Sequence, residues 1–243
     1  MTKSCHGPNC ESTTLIEAHI VPKGFGRAIR GGGPNIQIRW DRVGDARPQL
    51  GEFDSEILCA ACDNKLGGHD DYLIDVCKVF RSRHIRISPN RFELPNVEGD
   101  RLVKAVLAIL WRASISRRPN FQKIDLGPYE GKVREVLFGI TELATLPQIQ
   151  MLAERYEHER IDVEGFYTHP VRSQKGSKYN FYNISIGGFN FITKIDSRAF
   201  PNAIAPYIIN GNSFFRGSFT PLEETKAHST IVKMMTKAAT ESG

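Results

Sequence analysis

Two pairs of cysteines constrain this chain more than any other feature. Cys5 and Cys10 bracket a short CHGPNC knuckle, and Cys59 and Cys62 form a Cys-x2-Cys in ILCAACD. The chain has 5 cysteines, an odd number that argues against a closed disulfide framework. Thiolates are soft ligands, and four of them close a tetrahedral structural zinc site, so Cys5, Cys10, Cys59 and Cys62 are read as its ligands. His6 is the alternative ligand in place of Cys5. Gly7 and Pro8 suit the tight first turn. The gap from Cys10 to Cys59 is long, but loop-closure cost grows slowly with length and a hairpin spans it. Knuckle, hairpin and a helix carrying the second pair make a treble clef. Cys77 stands alone in DYLIDVCKVF at helical apolar spacing and reads as a small buried hydrophobe.

The other bulk properties are those of a globular protein. Of 243 residues, 40% are apolar and 24% charged. No run of eighteen apolar residues exists, which argues against a membrane partner. MTKSCHGPNC lacks the apolar stretch of a signal peptide, so the chain is expected in the cytoplasm, where thiols stay reduced. The net charge of +5 is unevenly placed: residues 1–85 carry 11 basic against 11 acidic side chains, and the remainder carries 21 against 16. Such an excess permits phosphate binding without demanding it.

Along the chain, LIEAHIV is β-compatible and ends at Pro22, and NIQIRW alternates with Ile36, Ile38 and Trp40 on one face. The glycine-rich GFGRAIRGGGPN between them is either a basic loop meeting phosphates through Arg27 and Arg30 or a plain hairpin loop. A helix starts near Cys59–Cys62, with an interruption expected at Gly67-Gly68 and resumption at His69. SPNRFELPNVEG reads as a linker. Asp100 is expected to cap the apolar helix RLVKAVLAILWRASIS, which Pro119 stops. Arg112, Arg117 and Arg118 at its end read as cations favoured by the helix dipole, with phosphate contact as the alternative. A second helix runs from Pro128 to Gly139. Strands follow TELATLPQIQMLAERY, with Gly187-Gly188 as a hairpin turn. Phe181, Phe189, Phe191, Phe214 and Phe215 lie in strand-like segments and read as core. A final helix is expected in EETKAHSTIVKMMTKAATESG. The expected fold class is α+β: a zinc-bound treble-clef or ββα-metal-like module over 1–85, then a mixed helix and antiparallel-sheet domain over 86–243.

EAHIVP, after the first knuckle, and CAACD, at the second, resemble the HNH or His-Me finger endonucleases, nearest to the zinc-bearing phage recombination-junction subgroup. Together with WRASIS they also look like prophage and bacterial HNH-like proteins. The resemblance covers about the first third of the chain. It implies that His19 is a general base stripping a proton from water, and that Asp63, directly after Cys62, helps hold a catalytic magnesium or manganese ion. The chain departs from the family at Ala18, where an acid or His is usual, and at Asp54, near where a middle Asn is expected. The His expected beside Cys62 is also missing, and His69 is the nearest substitute. Glu17 and Asn64 are the spare donors.

The expected function is therefore an HNH-like, metal-dependent endonuclease hydrolysing DNA phosphodiester bonds, in phage biology or anti-phage defence. His19, Asp63 and His69 are its candidate catalytic residues. DNA rather than RNA is the expected partner, and the C-terminal domain would bind substrate or a protein partner. The alternative is a non-catalytic zinc-stabilised module that binds nucleic acid or protein.

Overall fold

The computed structural model describes residues 3–25, 35–38, 46–49, 51–173, 177–225 and 228–229. Arg27, Arg30 and Trp40, the side chains of Ile36 and Ile38, and most of the expected final helix lie outside the described residues. The architecture is mixed α and β. A two-stranded antiparallel ribbon pairs β1 (Ala18–Val21) with β4 (Glu52–Asp54). Between them in sequence, β2 (Asn35–Ile38) and β3 (Ala46–Gln49) pair with each other, and β2 joins a large sheet beside β8 (Phe166–Thr168).

That sheet continues through β10 (Phe181–Ile186), β11 (Phe189–Ile195), β7 (Ile149–Glu157), β12 (Phe214–Pro221), β6 (Arg91–Pro95) and β5 (Ile85–Ser88). The short β9 (Val171–Arg172) pairs with β10. Two of the pairings, β2 with β8 and β12 with β7, are parallel; the other described ones are antiparallel. The β10–β11 turn falls on Gly187-Gly188 as expected, with φ of 60° and 80°. Two successive positive φ values match the twist of a tight hairpin and favour glycine.

Among the described residues there are three α-helices, α1 (Ala60–Arg83), α2 (Gly99–Ile115) and α3 (Glu130–Leu137), with α3 packed on α2. The expected interruption of α1 is absent. Gly67 and Gly68 cost about 1 kcal/mol each relative to alanine, but Leu66, Leu73, Val76, Cys77 and Phe80 bury one stripe that spans them. Phe80 meets the sheet edge-on, its ring 4.9 Å from both Phe92 and Phe189. Cys77 is fully buried as expected, and burial pushes its thiol up to about 12. Helix α2 is buried nearly all round, from Leu102 to Ala113, which marks it as the central helix.

Three local expectations need correction. Asp100 does not cap α2: Glu98 holds that position, and the Asp100 carboxylate instead accepts the Gly211 N–H at 2.8 Å. The segment expected as a linker contains β6, whose Phe92 and Leu94 are fully buried between β5 and β12. Its alternation of apolar and charged residues outweighs the flanking Pro and Asn, which only form its ends. Strand character also begins earlier than expected, at Ile149, since Ile149, Met151 and Ala153 bury one face of β7. Phe189, Phe191 and Phe215 are core, while Phe181 and Phe214 are only half-buried.

The expected boundary at 85/86 falls inside β5, and buried side chains from both sides form one contiguous cluster reaching from Cys5 to Phe219. Among the described residues no helix is long and apolar enough to cross a membrane.

Candidate metal centre and ribbon–helix site

The first knuckle is laced to the segment that delivers the second. The Cys5 N–H donates to the Ser12 carbonyl, His6 N–H to Ile57 and Ile16 N–H to Leu58, all at 2.8–3.0 Å. Asn9 takes a positive φ of 52°, closing the turn. The backbone N–H groups of Gly7 and Cys59 then point at the Cys5 sulfur, each 3.3 Å away. Cys59 caps the N-terminus of α1 and Cys62 lies in its first turn, so local helix geometry aims both thiols at the knuckle.

As a result the sulfurs of Cys5, Cys10, Cys59 and Cys62 all lie within 4.8 Å of one another, and none is in a disulfide. The Cys10–Cys59 sulfur separation is 3.7 Å. A tetrahedron with metal–sulfur bonds of about 2.3 Å has edges of about 3.8 Å. Gly7 sits so close that an added Cβ would lie 2.3 Å from the Cys62 sulfur. The cluster therefore suits a metal ion such as zinc in size and in donor chemistry. His6 is not part of it. Burial pushes the Cys5 and Cys62 thiols up, whereas the Cys62 backbone amide draws Cys59 down to about 7. Metal capture requires all four as thiolates, so it releases protons.

The β1–β4 ribbon lies against the start of α1 and the flank of α2. His19 stands opposite Phe53 in the ribbon and is half-buried. Asp63, in the first turn of α1, lies within electrostatic range of His19. Burial raises the Asp63 carboxyl, against the pull of Arg112 and His19. Its Oδ1 is buried with no hydrogen-bond partner among the described residues, an uncommon state for a carboxylate oxygen.

The remaining candidates are placed differently. His69 faces α3, its Nε2 3.0 Å from the Leu137 carbonyl, and burial lowers its pKa. It is not brought to the His19–Asp63 pair. Ala18 is fully buried, and Glu17 and Asn64 are exposed. Asp54 is buried and occupied, with Oδ1 accepting the Glu56 N–H at 2.9 Å and Oδ2 the Ser116 hydroxyl at 2.6 Å.

The three arginines at the end of α2 divide sharply. Arg112 is 1% exposed and forms a two-pronged pair with Asp70, at 2.9 and 2.5 Å. Arg117 and Arg118 turn outward over a cleft of about 410 Å³ beside the ribbon. Sequence reasoning missed Phe53, which lines that cleft, and Ser116, whose hydroxyl holds Asp54. The clue to Phe53 was a lone aromatic in the polar run GEFDSE, whereas the Ser116–Asp54 contact spans 62 residues and has no local signature. No family model matches the chain, and neither curated proteins nor solved structures yield a match.

Proposed function

We propose that this chain is a zinc-stabilised, metal-dependent endonuclease of the HNH type that hydrolyses DNA, acting in phage biology or in defence against phage. The observation that supports this reading is that His19 of the ribbon and Asp63 of α1 lie within electrostatic range of each other, Asp63 directly following one of the four clustered cysteines. The His19 imidazole would accept a proton from water as its oxygen attacks phosphorus and the sugar oxygen departs. The free Oδ1 of Asp63 is the donor suited to a hard divalent cation, with magnesium or manganese offsetting charge at the phosphate when bound. Residues beyond 85, which hold the basic excess, would contact the rest of the substrate.

A second reading, a non-catalytic zinc module that binds nucleic acid or protein, is favoured by one observation. Ala18 is buried and offers no ligand from the strand.

Plasmid cleavage by the full-length, zinc-loaded protein with magnesium or manganese decides between them. Cutting should occur, and His19→Ala should reduce it by about two or more orders of magnitude. Zinc content and melting temperature should stay at wild-type values. Asp63→Ala should also lose cleavage. Wild-type protein that cuts nothing with either cation, or His19→Ala protein that cuts normally, defeats the endonuclease reading.

A further inference from the structure

The cleft beside the ribbon combines an exposed aromatic ring with two arginines. Phe53, Asp54, Ser55, Glu56, Arg117 and Arg118 line it. A second cavity of about 260 Å³ adjoins it, sharing Glu56 and Arg117 and reaching Lys3 and His6 at the cysteine knuckle. The acidic side chains of the cleft are already engaged. Asp54 is held by Ser116 and by a backbone N–H, and Glu56 is ion-paired with Lys3. Arg118 donates to the Phe53 carbonyl, and its guanidinium lies over the Phe53 ring, 5.3 Å from the centroid. Arg117 is exposed, with no ion pair or hydrogen bond among the described residues. The cleft therefore keeps an uncommitted positive charge.

Its second unusual feature is aromatic. Four large hydrophobics are exposed among the described residues, and Phe53, at 37%, is the one aromatic of them. Phe53 lies directly opposite His19 across the ribbon. Such cross-strand neighbours have Cβ atoms about 4.5–5.5 Å apart. An exposed aromatic ring beside a free guanidinium, that of Arg117, with Arg118 over the ring, is a combination that holds single-stranded nucleic acid, bases stacking on the ring and phosphates meeting the cations. In a duplex the faces of internal bases are covered by their neighbours, so such a ring has nothing to stack on.

We propose that this cleft binds a single-stranded stretch of DNA, with an unpaired base stacked on Phe53 and the neighbouring phosphates held by Arg117 and Arg118. The occupied Asp54–Ser116 contact positions the arginines: the same hydroxyl lies 3.2 Å from the Arg118 N–H, which donates to it. The proposal deepens the endonuclease reading, which it uses to place the scissile phosphate next to the stacked nucleotide.

The test is binding of a fluorescein-labelled 12-mer, single-stranded or annealed to its complement, to full-length His19→Ala protein, followed by anisotropy. Single strand should bind at least about tenfold more tightly than duplex. In that background Phe53→Ala should weaken single-strand binding by roughly five- to a hundredfold, and Phe53→Trp should keep it. Arg117→Ala, an exposed change with little reason to disturb folding, should weaken binding and lower the salt slope by about one. Duplex bound as tightly as single strand, or single-strand affinity unchanged by Phe53→Ala, overturns the proposal even if plasmid is cut. Selective, Phe53-dependent single-strand binding by a protein that never cleaves would uphold it while the endonuclease reading falls.

Discussion

The knuckle-and-ribbon region and the sheet-and-helix body differ in what they have available to stabilise them. The body buries whole faces of strands and nearly the entire circumference of α2, so apolar burial accounts for its order. The first region, residues 3–25 and 51–62, buries fewer apolar side chains, among them Ala18, Ile20, Val21, Phe25, Ile57 and Leu58. Four of its cysteines converge instead. A metal bound by these four thiolates would add order to a short segment that buries less apolar area than the body. His19 belongs to this first region, and Asp63 follows directly after it.

Removing the metal should separate the two regions most widely. Structural zinc in small sites contributes an apparent ~10–16 kcal/mol. Chelation, or Cys59→Ser, should abolish hydrogen-exchange protection in residues 3–22 and 52–62 while β7, β10 and β11 keep theirs. Collapse of protection throughout would show that the regions do not differ as described.

The body should respond to changes that leave the metal alone. Asp70→Ala strands the buried Arg112 guanidinium and should cost about 3–5 kcal/mol in chemical denaturation. Phe80→Ala removes the ring that seats α1 on the sheet and should cost about as much. Zinc content should be unchanged in both. A loss of metal in either variant would mean that the cluster depends on the α1 packing.

His69 sharpens the comparison through pH. Burial lowers its folded pKa, so the unfolded chain binds the extra proton first as pH falls. Its contribution to stability is present above the ordinary histidine value of about 6.5 and is lost as pH falls through the folded value. His69→Gln should flatten that decline in melting temperature and leave any plasmid cleavage intact. Loss of cleavage would return His69 to the catalytic set.

The smallest effect belongs to the Lys3–Glu56 pair, both of whose side chains are about half exposed. Lys3→Ala should change stability by no more than about 1 kcal/mol. A larger loss would mean that the knuckle leans on surface charge as well as on its cysteines.

Much of this protein was legible in its sequence where the signal is local. Two close cysteine pairs report their own convergence, because a knuckle turn and a helix N-terminus aim thiols without help from distant residues. Gly187-Gly188 announced its hairpin, and Cys77 its burial, for the same reason. Signals failed where tertiary packing overrode them. Gly67-Gly68 did not break α1, since the stripe of buried side chains on both sides outweighed the local cost. The expected linker became β6 because β5 and β12 flank it, which nothing near residue 92 could reveal. Likewise, the family resemblance suggested His19 and Asp63, but bringing them within electrostatic range of each other required the ribbon to lie against α1. Asp54 finds Ser116, and Arg117 and Arg118 find the cleft, only because α2 ends beside β4. Contacts between residues far apart in the chain depend on how whole elements pack, and no local propensity encodes that arrangement.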